Sequence, residues 1–240
     1  MPQLLRKAVS KIDNRGMLLV FPINNKKEPP SIWSEFYPRS EMRWEWDEGG
    51  DNRVASLWHL REELSRSQKV IYSKWYKGRA TFFSKPVFTA MLSLFIPSAR
   101  AISPESRDLL TLLLETSPLS TKQLKKEMKL EGRFNEALYN KSLKDLWTRL
   151  LIVGFGEVDD GAFPSLAVGA TELMFEDIWA EALTLKPAKA ERFIRHTLAN
   201  NPLFFKEFQK IQSQIAKVLP APLLKERKVI RGVDLITSRR

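Results

Sequence analysis

The sequence predicts an α+β protein, mainly helical, and three observations carry that prediction. Ser103 to Thr171 reads as helix, turn, helix, turn, long helix and hairpin. Before it, Met17 to Ile23 is a continuous apolar run, and Lys69 to Tyr76 and Arg79 to Ser84 are β-rich runs joined at Lys77-Gly78. After it come three amphipathic segments. The order in the central stretch is that of a winged helix-turn-helix. The expected organisation is therefore an N-terminal mixed α/β layer over 1–100, a winged helix-turn-helix core over 101–171, C-terminal helices over 172–219 and a basic tail over 220–240.

The elements follow in order. Leu4, Leu5, Ala8, Val9 and Ile12 mark one side of a first helix, with Arg6, Lys7 and Lys11 on the other and Gly16 as its C-terminal glycine. Met17 to Ile23 predicts a buried strand, and Ile32 to Tyr37 a short helix. A loop rich in Arg39, Arg43, Trp44, Trp46 and acidic residues then leads to a helix from Asp51 or Asn52 to about Arg66. Lys77-Gly78 is the clearest hairpin signal of this half, its tip crowded by Lys74, Lys77 and Arg79 with Trp75 and Tyr76 between them. Val87 to Ile96 predicts a buried helix, and Pro97 to Ala101 a linker.

Ser103, Pro104 and Glu105 form a helix start. Leu109, Leu110, Leu112, Leu113 and Leu114 make this the expected central buried helix. Ser120 or Thr121 caps a short second helix, with Leu124 and Met128 inward and Lys122, Lys125, Lys126 and Lys129 outward. A longer helix is expected from about Phe134 to Leu151. Leu138, Leu143, Leu146, Trp147 and Leu150 share one arc of it, and Asn140, Lys141, Lys144 and Thr148 the opposite arc. Amide and hydroxyl groups suit base edges or sugar, and ammonium groups suit phosphates. Leu151 to Phe155 and Phe163 to Val168, turning at Asp159-Asp160-Gly161, predict the wing. Helices over Glu172 to Leu183, Lys186 to Ala199 and Asn201 to Leu219 complete the chain.

Composition narrows the function classes. Across 240 residues Lys and Arg outnumber Asp and Glu by 39 to 28, a net charge of +11, with a pI near 9.8. That balance favours polyanions, nucleic acid first and an anionic membrane surface second; with the winged-helix order, the expected partner is double-stranded or distorted DNA. The chain has no cysteine, which removes disulfides and thiolate metal sites. His59 and His196 are isolated, so no metal or other cofactor is expected. Apolar runs stay short of a membrane span, and the expected location is the cytoplasm, on the nucleoid if DNA is bound. No phosphate-cradling glycine loop or Gly-x-Ser-x-Gly elbow occurs.

The expected contacts to DNA are Lys122, Lys125, Lys126, Asn140, Lys141, Lys144 and Thr148 in the central unit, with Lys74, Lys77 and Arg79 on the hairpin. Trp33, Trp44, Trp46, Trp58 and Trp75 are candidates for stacking on a base, Trp44 and Trp46 foremost because cations flank them. Glu45, Asp47, Glu48 and Asp51 read as acidic loop residues pairing with Arg39, Arg43 and Arg53. The leading expectation is DNA binding. A winged helix serving as a protein-interaction module is the alternative from another class.

A family resemblance adds to this reading. Gly16-Met17-Leu18-Leu19-Val20-Phe21-Pro22-Ile23, Ser31-Ile32-Trp33, Leu57-Trp58 with Leu60-Arg61, Tyr72-Ser73-Lys74 and Ala80-Thr81-Phe82-Phe83-Ser84 carry it in the first half. Pro118-Leu119-Ser120-Thr121 and Leu151-Ile152-Val153 continue it, over roughly residues 10 to 185. In these segments the chain resembles AlkZ-related bacterial proteins, distant relatives of the YcaQ/AlkZ winged-helix DNA glycosylases. The resemblance implies a role in DNA repair and, as an alternative to plain binding, release of alkylated or crosslinked bases. The Gln-x-Gln motif of those glycosylases has no counterpart in the matching N-terminal region. Gln212-Ser213-Gln214 has the letters but lies in the last helix, a chance match.

Overall fold

The computed structural model describes residues 2–43, 52–159 and 164–218. Helix α1 (Pro2–Arg15) buries Ala8 and Ile12 completely. It ends at Gly16, whose φ of +77° a side-chain-bearing residue rarely adopts. Strand β1 is shorter than its apolar run, Met17–Leu19 only. Pro22 has no N–H for a ladder, and Asn24 and Asn25 turn the chain with positive φ. Helix α2 (Ile32–Phe36) starts in a reciprocal cap between Ser31 and Ser34, and α3 spans Asn52–Arg66.

Strands β2 (Ile71–Tyr76) and β3 (Arg79–Phe83) form the expected hairpin. Lys77 and Gly78 take φ of +51° and +75°, the left-handed pair that a tight two-residue hairpin turn needs. Helix α4 (Lys85–Phe95) is buried almost all round and is the central helix of the molecule. That place was expected for α5 (Pro104–Glu115), but there Leu112 and Leu114 are only partly covered. The supposed linker is a packed 3-10 helix, Ile96–Ala101, with Ser98 and Ala99 buried. Arg149 donates to the Ser98 carbonyl at 3.1 Å and thereby holds it.

Strand β4 (Leu119–Ser120), α6 (Thr121–Glu127), α7 (Glu136–Thr148), β5 (Ile152–Val158) and β6 (Ser165–Ala170) follow. Leu150, at φ +58°, turns the chain out of α7 and into β5. The segment expected as one helix after β6 is two, α8 (Thr171–Met174) and α9 (Glu176–Thr184), because Phe175 leaves helical geometry. Helices α10 (Pro187–Thr197) and α11 (Pro202–Val218) end the described chain. The predicted turn residues Asp160 and Gly161 and the basic tail lie outside the described residues.

All six strands join one antiparallel sheet in the order β1-β3-β2-β5-β6-β4. The β5–β6 hairpin is therefore not free on one side, since Tyr72 of β2 pairs with Gly154 of β5. Side chains alternate across the β1–β3–β2 part of the sheet, as strand geometry requires. Met17, Leu19, Ile71 and Phe83 enter the larger core with α4, α5, α7 and α9 to α11. Leu18, Tyr72 and Phe82 enter the smaller core under α1, α2 and α3. No single described helix is long and apolar enough to cross a membrane.

Candidate nucleic-acid interface

The α6–α7 unit is fixed by three polar devices. The Gln123 amide donates to Ser120 Oγ at 3.0 Å, and the Ser120 amide donates to Gln123 Oε1 at 2.8 Å. This reciprocal cap settles the start of α6 on Ser120 rather than Thr121. The Tyr139 hydroxyl donates to the Thr121 carbonyl at 2.6 Å and ties α7 to the start of α6. Burial pushes the Tyr139 hydroxyl up, so it stays a donor there.

Helix α7 is two-faced. Tyr139, Ser142, Leu143, Leu146 and Trp147 are buried, whereas Asn140, Lys141 and Lys144 are exposed and Thr148 half-exposed. Leu138, expected among the buried residues, is 37% exposed. The cations of this region are not equivalent. Lys125 pairs with Glu136 and lies 5.7 Å from the Tyr139 ring centroid, so part of its charge is already answered. Its hydrogen bond holds the Glu136 carboxyl below its ordinary value. Asn140 donates to the same carboxylate at 3.2 Å, and the Thr148 hydroxyl bonds back to the Lys144 carbonyl at 2.7 Å. Lys122, Lys126, Lys141 and Lys144 are exposed. Just before α7, Phe134 is fully exposed, with a relative accessibility of 101%.

The hairpin residues separate. Lys77 and Arg79 are exposed at the tip. The antiparallel pairing of Tyr72 with Gly154 sets that tip at the end of the sheet where the chain leaves α7. Lys74 instead is half-buried against α3, and burial, then the nearby Arg61 charge, depresses its pKa. Trp75 and Tyr76 are 2% exposed and belong to the core. The hairpin therefore offers cations without the interleaved aromatic faces that the sequence suggests. Trp33 is likewise buried, its indole N–H donating to the Ser40 carbonyl at 2.9 Å. Trp58 is 38% exposed, but the Arg61 guanidinium covers its ring at 4.0 Å. Trp44, Trp46, Glu45, Asp47, Glu48 and Asp51 lie outside the described residues.

An ion pair unmarked by any local sequence signal lies on the α3 side of the sheet. Arg61 pairs with Glu157, and both side chains are almost buried, 12% and 11% exposed. Arg66 donates to the Glu157 carbonyl, and the Gly156 amide donates to Ser65 Oγ at 2.8 Å. These contacts clamp α3 to the bulge in β5. Gln212 of the Gln-x-Gln letters bonds Glu191 of α10 at 2.8 Å on the surface. Among the described residues no cluster of three His, Asp or Glu side chains could hold a metal ion.

Fold and surface together define an α+β protein with a cationic, helix-borne face. A family model described as AlkZ related matches residues 3–213, and the chain belongs to that family. No curated protein and no solved structure matches the chain at a significant level.

Proposed function

We propose that residues 101–171 are a winged helix-turn-helix that binds duplex DNA, with α7 as recognition helix and β5–β6 as wing. The observation that carries this reading is the division of α7. Its outer stripe, with Asn140, Lys141 and Lys144 exposed and Thr148 half-exposed, lies opposite a stripe that is buried. The order helix, short strand, helix, helix, hairpin, with β4 paired to β6 and β6 to β5, supports the assignment of the unit. Lys77 and Arg79 supply further phosphate contacts where β2 meets the end of α7. Membership in the AlkZ-related family supports a DNA-repair setting, and with it a cytoplasmic, nucleoid-associated protein.

Lys141→Ala combined with Lys144→Ala tests the reading. Removing one lysine–phosphate pair should flatten the dependence of log affinity on log salt by about 0.9 for B-form DNA. Unchanged affinity and slope in the folded double variant would remove α7 from the DNA face. Lys74→Met is the internal control. It removes a half-buried cation beside Arg61 and is expected to leave the slope unaltered.

A further inference from the structure

Phe134 is the residue that the fold does not explain. It stands just before Asn135, the N-cap of α7, in the position from which an apolar side chain often packs back onto the fourth residue of the helix. That fourth residue is Tyr139, and it is engaged elsewhere, buried and bonded to the Thr121 carbonyl. Phe134 consequently makes no staple and is wholly exposed. One turn further on, Leu138 is also exposed. Two exposed apolar side chains thus stand a turn apart at the entry of α7, on a mount held by the Ser120–Gln123 cap and the Tyr139 hydrogen bond.

The surroundings state what such a projection would meet. Between residues 122 and 144 there are seven basic and three acidic residues, and one of the acidic ones, Glu136, is occupied by Lys125. Lys126, Lys129 and Arg133 lie exposed on the approach to Phe134. A protein partner would need a broader apolar patch than two side chains. A polyanion with an apolar interior fits both features, and stacked base pairs between two phosphate strands are that object. Apolar side chains that enter a base step unstack it and kink the duplex.

We propose that Phe134, backed by Leu138, is a wedge that enters a base-pair step when the protein binds DNA. Lys129 and Arg133 hold the phosphates beside it. Pyrimidine–purine steps, the easiest to unstack, are its preferred sites. The proposal rests on the DNA-binding reading above but concerns deformation rather than affinity for phosphate.

The test uses the full chain and a duplex with 2-aminopurine at a central TA step and a fluorescence-transfer pair at its ends. Wild-type protein is expected to brighten the 2-aminopurine and bring the ends closer. Phe134→Ala should keep the melting temperature and the salt slope, abolish both signals and bind about tenfold more weakly. Phe134→Leu should retain both signals in part. Brightening and bending by Phe134→Ala equal to wild type would overturn the wedge while leaving DNA binding intact. Loss of concentration-dependent self-association in Phe134→Ala, with DNA deformation unchanged, would assign the residue to an interface between copies instead. Absence of duplex binding by wild-type protein would defeat the DNA reading itself, and the wedge with it.

Discussion

Tyr72 and Gly154 face each other across the β2–β5 seam, and the pairing depends on one of them having no side chain. A Cβ at position 154 would run into the Tyr72 ring, with the Leu166 side chain next nearest at 3.3 Å. The ring has nowhere to retreat, since it is 2% exposed and packs edge-on against Phe82 at 5.4 Å. Gly154→Ala is therefore expected to destabilise the protein by about 1–3 kcal/mol, measured by urea unfolding. An unchanged midpoint would show that the seam can open. The same tyrosine gives a pH signature. Burial pushes its hydroxyl up to about 12 from the ordinary 10.0, so the folded state holds the phenolic proton more firmly than the unfolded chain does. Its contribution is complete below pH 10.0 and is lost as pH rises toward about 12. The stability difference between wild type and Tyr72→Phe should accordingly shift against wild type between about pH 10 and about 12. Lys74, whose pKa burial depresses, is present in both proteins and leaves that difference unaffected to first order.

Among the elements, those with a local cause were legible in the sequence. Lys77-Gly78 announced its hairpin through turn chemistry, and Ser103-Pro104 announced the start of α5 through capping. The buried and exposed arcs of α7 followed from its periodicity, Leu138 excepted. What could not be read was whatever depends on a distant segment. The burial of Trp75, Tyr76 and Lys74 is set by helices from elsewhere in the chain, so a cation–aromatic run resembling a nucleic-acid surface became half core. The Arg61–Glu157 pair spans 96 positions and carries no local signal. The exposure of Phe134 has a local cause of another kind, because Tyr139, the residue a staple would use, is tied to α6. Element-scale cohesion can be tested at Ser120. Ser120→Ala removes one half of the reciprocal cap and leaves the Gln123 amide without its acceptor. A loss of about 0.5–2 kcal/mol is expected, with faster amide exchange through α6 than through α4. Equal acceleration in both helices would mean that the cap serves the whole fold rather than α6.

At the scale of the molecule, the larger core gathers residues from Met17 to Ile215, so the central unit does not own its hydrophobic interior. Trp147, Leu150 and Val153 share it with Trp75, Tyr76 and Phe204, and Tyr76 meets Phe204 edge-on at 5.1 Å. The C-terminal helices are fastened to the first one as well. Asn201 donates to the Arg15 carbonyl at 3.2 Å, and the space a side chain would need at Gly16 is taken by Thr197 and Val87. Residues 101–171 cut out alone would expose an edge at β5 and the faces of Trp147 and Leu150, unpaired backbone and apolar area together. The excised unit is therefore expected to lack a cooperative urea transition and dispersed amide resonances. The full chain should unfold in one step, with tryptophan fluorescence and far-ultraviolet dichroism coincident. Two separated transitions in the full chain, or a cooperative transition in the fragment, would show that the sheet joins two independently stable halves. In that event the central unit would be portable. With one cooperative core it is not, and the orientation of α7 depends on α5 and β2, which pack against it.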